Sequence, residues 1–235
     1  MRYILLFFSF LLLPFSSSAT WSIILIDPKT GEIGIAGASC THSCRTIGKI
    51  VPGKGAIVVQ AMSNVDARRK GVEMIIADRS PEEIIQALQD PVFDPQRQQY
   101  AVVSLKYIET PMTFTGAETD SCKGAITARG VSVQGNTLTY TNELTAIMEA
   151  VVKGQQEGLR IDEILMLALE AGSTAGGDKR CGEQRATSAF IVVAKLGDKP
   201  TKPFMDLEFF GQKRGGMNAV HLLRGKYEKW KKKHL

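Results

Sequence analysis

After its first nineteen residues the chain contains no apolar run long enough to cross a bilayer, which takes about 20 residues. A helical membrane span within the body is therefore excluded. There is no internal repeat and no long low-complexity linker, so one domain is the economical division. Cysteine is scarce, with four in 235 residues, and none follows the opening apolar stretch as a lipid-modified residue would. The body also lacks a surplus of positive charge. Residues 211–235 hold eight Lys/Arg against one Glu, a net of +7, whereas the formal charge of the whole chain is only +5. A domain that binds nucleic acid would carry its basic residues across one face of the fold, so that class is set aside.

What is present begins with the leader. Arg2 supplies a positive start, Ile4 to Phe15 are almost wholly apolar, and Ser17 and Ala19 occupy the −3 and −1 positions of a signal peptidase site. Residues 1–19 are expected to be a cleaved signal peptide, which makes the protein exported, either periplasmic or secreted. The body would then begin at Thr20. In an oxidising compartment Cys40, Cys44, Cys122 and Cys181 are expected to form two disulfides, with three connectivities open. The spacing Cys40-x-x-x-Cys44 also admits zinc, but Cys122 and Cys181 are single and distant, so no metal is expected.

The element pattern is mixed. Trp21 to Ile26, a turn over Asp27-Pro28-Lys29-Thr30-Gly31, and Glu32 to Ala38 read as a β-hairpin. Gly55 to Ala61 reads as a third strand. Val72, Ile75 and Ile76 then repeat at helical spacing. Ser80-Pro81-Glu82-Glu83 is a helix start that would bury Ile84, Ile85 and Leu88. Strands are expected at Tyr100 to Leu105, Met112 to Gly116 and Ile126 to Val133. Helices come next at Glu143 to Val152 and Ile161 to Ala171, then strands at Ala189 to Ala194 and Leu207 to Phe210. The pattern implies a layered α+β domain over residues 20–210, with helices outside the sheet.

Export and Thr20 coincide. Cleavage after Ala19 would place a hydroxyl nucleophile and a free α-amine, of reference pKa near 8, on one residue. Amide hydrolysis also needs donors for an oxyanion, and Gln134-Gly135-Asn136 offers a side-chain amide and a backbone N–H beside glycine; a plain strand-to-turn run is the alternative. Gln60, Ser63 and Asn64 at the end of the third strand are candidate substrate-binding polar groups. Asp178 and Arg180, after Gly176-Gly177, would hold a charged substrate group or form a surface ion pair. Lys49 and Lys54 are expected to be exposed.

Several short runs carry a resemblance. They are Thr20-Trp21-Ser22-Ile23, Asp27-Pro28-x-Thr30-Gly31-Glu32-x-Gly34, Val51-Pro52-Gly53-x-Gly55-Ala56, Phe114-Thr115-Gly116, Val133-Gln134-Gly135-Asn136 and Ala175-Gly176-Gly177-Asp178-x-Arg180. Together, in this order, they resemble a domain-of-unknown-function family, number ten twenty-eight, grouped with the N-terminal nucleophile (Ntn) hydrolases. The resemblance covers roughly Thr20 to Ala194. It implies a four-layer αββα sandwich, and with Thr20 as nucleophile the expected activity is hydrolysis of a small amide or peptide without a cofactor. It also implies a structural disulfide role for Cys40, Cys122 and Cys181, which sit where exported members have cysteines. The family supplies no substrate, so a non-catalytic envelope binding or scaffold protein stands as the alternative, and a homo-oligomer is compatible with either.

Residues 211–235 lie outside the resemblance. Met217, Val220, Leu223, Tyr227 and Trp230 mark one face of a basic amphipathic helix. Packing on the domain is the preferred expectation, with contact to an anionic envelope surface as the second.

Overall fold

A computed structural model describes residues 20–234; the proposed signal peptide falls outside them. Among the described residues ten strands form two antiparallel sheets. The described residues open with β1 (Thr20–Ile26) and β2 (Ile33–Ser39), then β3 (Gly48–Val51) and β4 (Gly55–Ala61). Helices α1 (Val65–Ile76) and α2 (Pro81–Leu88) come next, followed by β5 (Gln98–Ser104), β6 (Met112–Thr115), β7 (Gly124–Ala128) and β8 (Val131–Asn136). Helices α3 (Glu143–Gln156) and α4 (Ile161–Ala175), strands β9 (Ser188–Ala194) and β10 (Met205–Phe209), and helix α5 (Ala219–His234) complete it.

One sheet has six strands in the order β10-β9-β2-β1-β8-β7, and the other has four in the order β3-β4-β5-β6. Strand β1 is central, paired with β2 on one side and β8 on the other. The run read as one strand from Ile126 to Val133 is a hairpin, β7 and β8. Gly130, at a φ of +69°, turns the chain there, a backbone that glycine adopts without strain.

Period-two alternation sorts each strand's side chains to two faces. From β1, Trp21, Ile23 and Leu25 pack under α3, α4 and α5, while Ile24 and Ile26 join Val58, Ala101 and Val103 between the sheets. Ile57, Val59, Tyr100 and Val102 turn the other way, under α1 and α2. Two helix starts obey their local sequence closely. Ser80 and Glu83 exchange capping hydrogen bonds of 3.2 and 2.8 Å, with Pro81 in the first turn. Asn64 caps α1, its Oδ1 accepting from the N–H groups of Asp66 and Ala67 at 2.9 Å each.

One expectation is corrected. The described residues contain one disulfide, Cys40–Cys181, not two; Cys44 and Cys122 are free thiols. Cys44 is buried in the apolar layer between the sheets, where its Sγ donates to the Gly37 carbonyl at 3.7 Å, and burial pushes its thiol up to about 12. The C-terminal helix packs against the domain, which was the preferred expectation for it. Val220, Leu223 and Tyr227 of α5 are fully buried in the same core as α4, and the Tyr227 hydroxyl donates to Asp162 Oδ2 at 2.7 Å.

Candidate functional site

The space between the sheets changes character along the strands. One end is aliphatic, and the other is built from hydroxyl and amide side chains. At the polar end four residues of neighbouring strands stand in register: Ser188 on β9, Ser39 on β2, Thr20 on β1 and Asn136 on β8. All four are buried. Alternation puts Thr20 on the face of β1 that Ser22 occupies, toward the second sheet.

From that sheet, Gln60 on β4 and Gln99 on β5 answer the row. Gln60 Nε2 donates to the Thr20 carbonyl at 3.2 Å and to Gln99 Oε1 at 2.7 Å, and Gln60 Oε1 accepts from Ser22 Oγ at 2.6 Å. Asn136 Nδ2 donates to the same Gln99 Oε1 at 3.2 Å. Ser132 and Gln134 extend the network: Ser132 Oγ donates to Gln134 Oε1, and Gln134 Nε2 donates to Ser22 Oγ, both at 2.7 Å. Buried amides that satisfy one another are costly to disturb singly, since removing one partner leaves the other unpaired at about 1–3 kcal/mol. The network thus fixes the carbonyl of Thr20 and the amide of Asn136.

Beside the row lies a charged clamp. Asp178 is fully buried, so the ion pair expected as one alternative forms, but with its carboxylate inside the fold and not at the surface. Its Oδ2 accepts from the Cys40 N–H at 2.6 Å and from Arg180 Nη2 at 2.7 Å. Arg180 Nη2 also lies 3.5 Å from Ser39 Oγ. The Cys40–Cys181 disulfide fastens the same segment to the end of β2. Loop 178–181 is thereby held against the strand next to Thr20.

Two other candidates have structural duties. Asn64 is a helix cap, and its Nδ2 donates to the Phe93 carbonyl at 3.2 Å. Gly135 lies mid-ladder between Trp21 and Gly124, and its carbonyl accepts from Gln99 Nε2 at 3.1 Å. A Cβ at Gly135 would stand 2.8 Å from the Leu138 side chain, so close packing already accounts for the glycine. Of the two oxyanion candidates, the Asn136 amide remains.

Ser22, Ser39, Gln99 and Ser188 belong to the site and were not singled out in the sequence. Their signal is a polar residue recurring every second position in otherwise buried strands, as in Ser132-x-Gln134-x-Asn136. Glu143, at the start of α3, was also missed. It is fully buried, Oε1 accepts from the Tyr140 N–H at 2.7 Å, and among the described residues Oε2 has no hydrogen-bond partner. Burial pushes its carboxyl up to about 7, despite neighbouring backbone N–H groups that pull it down.

The sequence model for the Family of unknown function (DUF1028) matches residues 20–212. Among solved structures, a crystal structure of protein SPO2555 from Silicibacter pomeroyi, of that family, superposes with a TM-score of 0.76. The two share 24% identity, over 90% of this chain and 86% of that one. No curated protein matches the chain.

Proposed function

The chain belongs to this family of unknown function, and from that premise we propose that it is an exported N-terminal nucleophile amidohydrolase. The domain would be a four-layer αββα sandwich of the Ntn type, and its substrate a small amide or peptide. One observation carries the reading: Thr20 opens the central strand at the polar end of the sandwich, in register between Ser39 and Asn136.

Cleavage after Ala19 would free the Thr20 α-amine, whose reference pKa of about 8 leaves a usable fraction unprotonated near neutral pH. That amine takes the proton from Thr20 Oγ as the oxygen attacks the substrate carbonyl. The Asn136 amide stands one strand away as a donor to the developing oxyanion. Collapse expels the amine, which receives the proton, and water then releases the acyl group from Thr20. Gln60 orients the nucleophile through the Thr20 carbonyl. Arg180, held by Asp178, supplies a positive group for a substrate carboxylate.

A non-catalytic binding or scaffold module is the second reading. It is favoured by the mutual satisfaction of Gln60, Gln99, Ser22 and Asn136, which suits a structural network equally well.

Intact mass and terminal sequencing of the exported protein test the premise, with a chain beginning at Thr20 expected. On a panel of short peptides and acyl amides, Thr20→Ala is expected to abolish turnover while leaving the unfolding midpoint nearly unchanged. A start elsewhere, or activity that survives Thr20→Ala, would hand the lead to the binding module.

A further inference from the structure

A second feature lies away from Thr20, at the open side of the sandwich between β9 and the edge strand β3. There a cavity of about 370 Å³ opens under the first turns of α1. This is within the size range of small-molecule sites, roughly 300–1,000 Å³. Neither Thr20, Gln60 nor Asn136 lines it, so a ligand held there would be independent of the hydrolase chemistry proposed for Thr20.

Its walls are of two kinds. Ile35, Ile50, Val72, Phe190 and Val192 make an apolar surface. Arg45, Lys49, Arg68 and Arg69 supply the charge, and among the described residues no acidic side chain lines the cavity. Two of these cations are already answered by carboxylates outside the lining. Arg45 makes a two-pronged pair with Asp206, 2.8 Å on each arm, and Arg69 lies 2.9 Å from Asp66. Lys49 is exposed.

Arg68 differs from all three. It is only 7% exposed, and its Nη1 donates to a neutral acceptor, Ser63 Oγ, at 3.2 Å. Ser63 Oγ donates onward to the Val59 carbonyl at 3.0 Å, so the anchor is fixed to the end of β4. Among the described residues no carboxylate pairs with Arg68, and burial alone draws its guanidinium below the ordinary range. Burying a guanidinium without a counter-charge is costly. Such a group is retained where an anion completes it. The planar fork matches a carboxylate on two N–H donors, and the apolar walls favour a hydrocarbon body beside that charge. One unanswered buried cation calls for one negative charge.

We propose that this cavity is a binding site for a small monocarboxylate with an apolar body, its carboxylate gripped by Arg68 and its body laid against Phe190, Val192 and Ile50.

The probe is octanoate, titrated into the folded chain by calorimetry beside 1-octanol, which has the same body without the charge, and inorganic phosphate, which has charge without the body. Octanoate is expected to bind while neither control does. Arg68→Met is expected to weaken octanoate at least about tenfold, the scale of a lost charge-assisted pair. Without ligand, the variant should unfold no lower than the parent, because it removes an uncompensated buried charge. Failure of octanoate to bind overturns the proposal. So does equal binding of 1-octanol or phosphate, or unchanged affinity in Arg68→Met. If that variant does not fold, the salt dependence of the parent decides: octanoate affinity must fall as ionic strength rises, and a salt-independent affinity rejects the Arg68 grip.

Discussion

Glu143 shows how one residue couples burial to pH. Its carboxyl titrates near 7 rather than in the ordinary carboxylate range because the fold removes it from water and leaves Oε2 unpartnered. A raised folded-state value means the protonated form is the one the fold favours. Its stabilising contribution is therefore complete below the unfolded carboxylate range and is lost as pH rises through about 7. Denaturant unfolding at pH 5 and pH 8 is expected to show a decline on the order of 2–3 kcal/mol from this group. In Glu143→Gln that part of the decline should vanish. An unaltered pH profile in the variant would place the ionisation elsewhere. Gly176 explains part of the crowding, since a Cβ there would stand 2.5 Å from Glu143 Oε1. The Gly176-Gly177 run thus serves the packing of a buried acid as well as the turn into Asp178.

Among the elements, α4 is set by one close approach. Gly172 faces Trp21, and a Cβ there would stand 2.6 Å from the indole Nε1 and 2.9 Å from Ile147 Cδ1. Alanine would improve helix propensity by about 1 kcal/mol, but overpacking a rigid indole costs about 1–3 kcal/mol. Gly172→Ala is accordingly expected to destabilise by up to about 2 kcal/mol in denaturant unfolding, and a stabilised variant would show that the α4–β1 contact yields easily. Elements with local rules were the legible ones. Ser80-Pro81-Glu82-Glu83 announced α2, and the apolar stripe of Ile161, Ile164 and Leu165 announced α4. The hairpin of β7 and β8 was not, because its turn lies inside a run of strand-forming residues. In the candidate site, Thr20, Asn136, Gln60 and the Asp178–Arg180 pair could be read from the sequence. Gln99 and Ser22 could not, because their importance arises only when β4 and β5 are laid over β1. Asn64 misled for a related reason: a polar residue at a strand end suits a pocket and a helix cap alike, and the next twelve residues decide which.

For the molecule as a whole, the thiol count separates one disulfide from two. Titration under denaturing, non-reducing conditions is expected to find two free thiols, Cys44 and Cys122. None would restore a second bridge, and four would remove the Cys40–Cys181 bridge as well. The bridge that is present spans 141 residues of sequence. Closing so long a loop stabilises chiefly by restricting the unfolded chain, typically by about 2–4 kcal/mol. The core beneath α3, α4 and α5 draws residues from β1, β8, β9 and α5 at once. It therefore joins the first strand to the last helix, and residues 211–234 contribute to the stability of the fold as well as to its charge.

That same bridge also bears on biogenesis. Cys181 is the last of the four cysteines in sequence, whereas its partner Cys40 is the first. A chain entering an oxidising compartment from its N-terminus would present Cys40 together with Cys44, then Cys122, before the proper partner arrived. The nearest mates are thus the wrong ones. Under the proposed export, assembly would depend either on β2 and β9 pairing before oxidation, or on a thiol–disulfide isomerase that undoes the premature bridges.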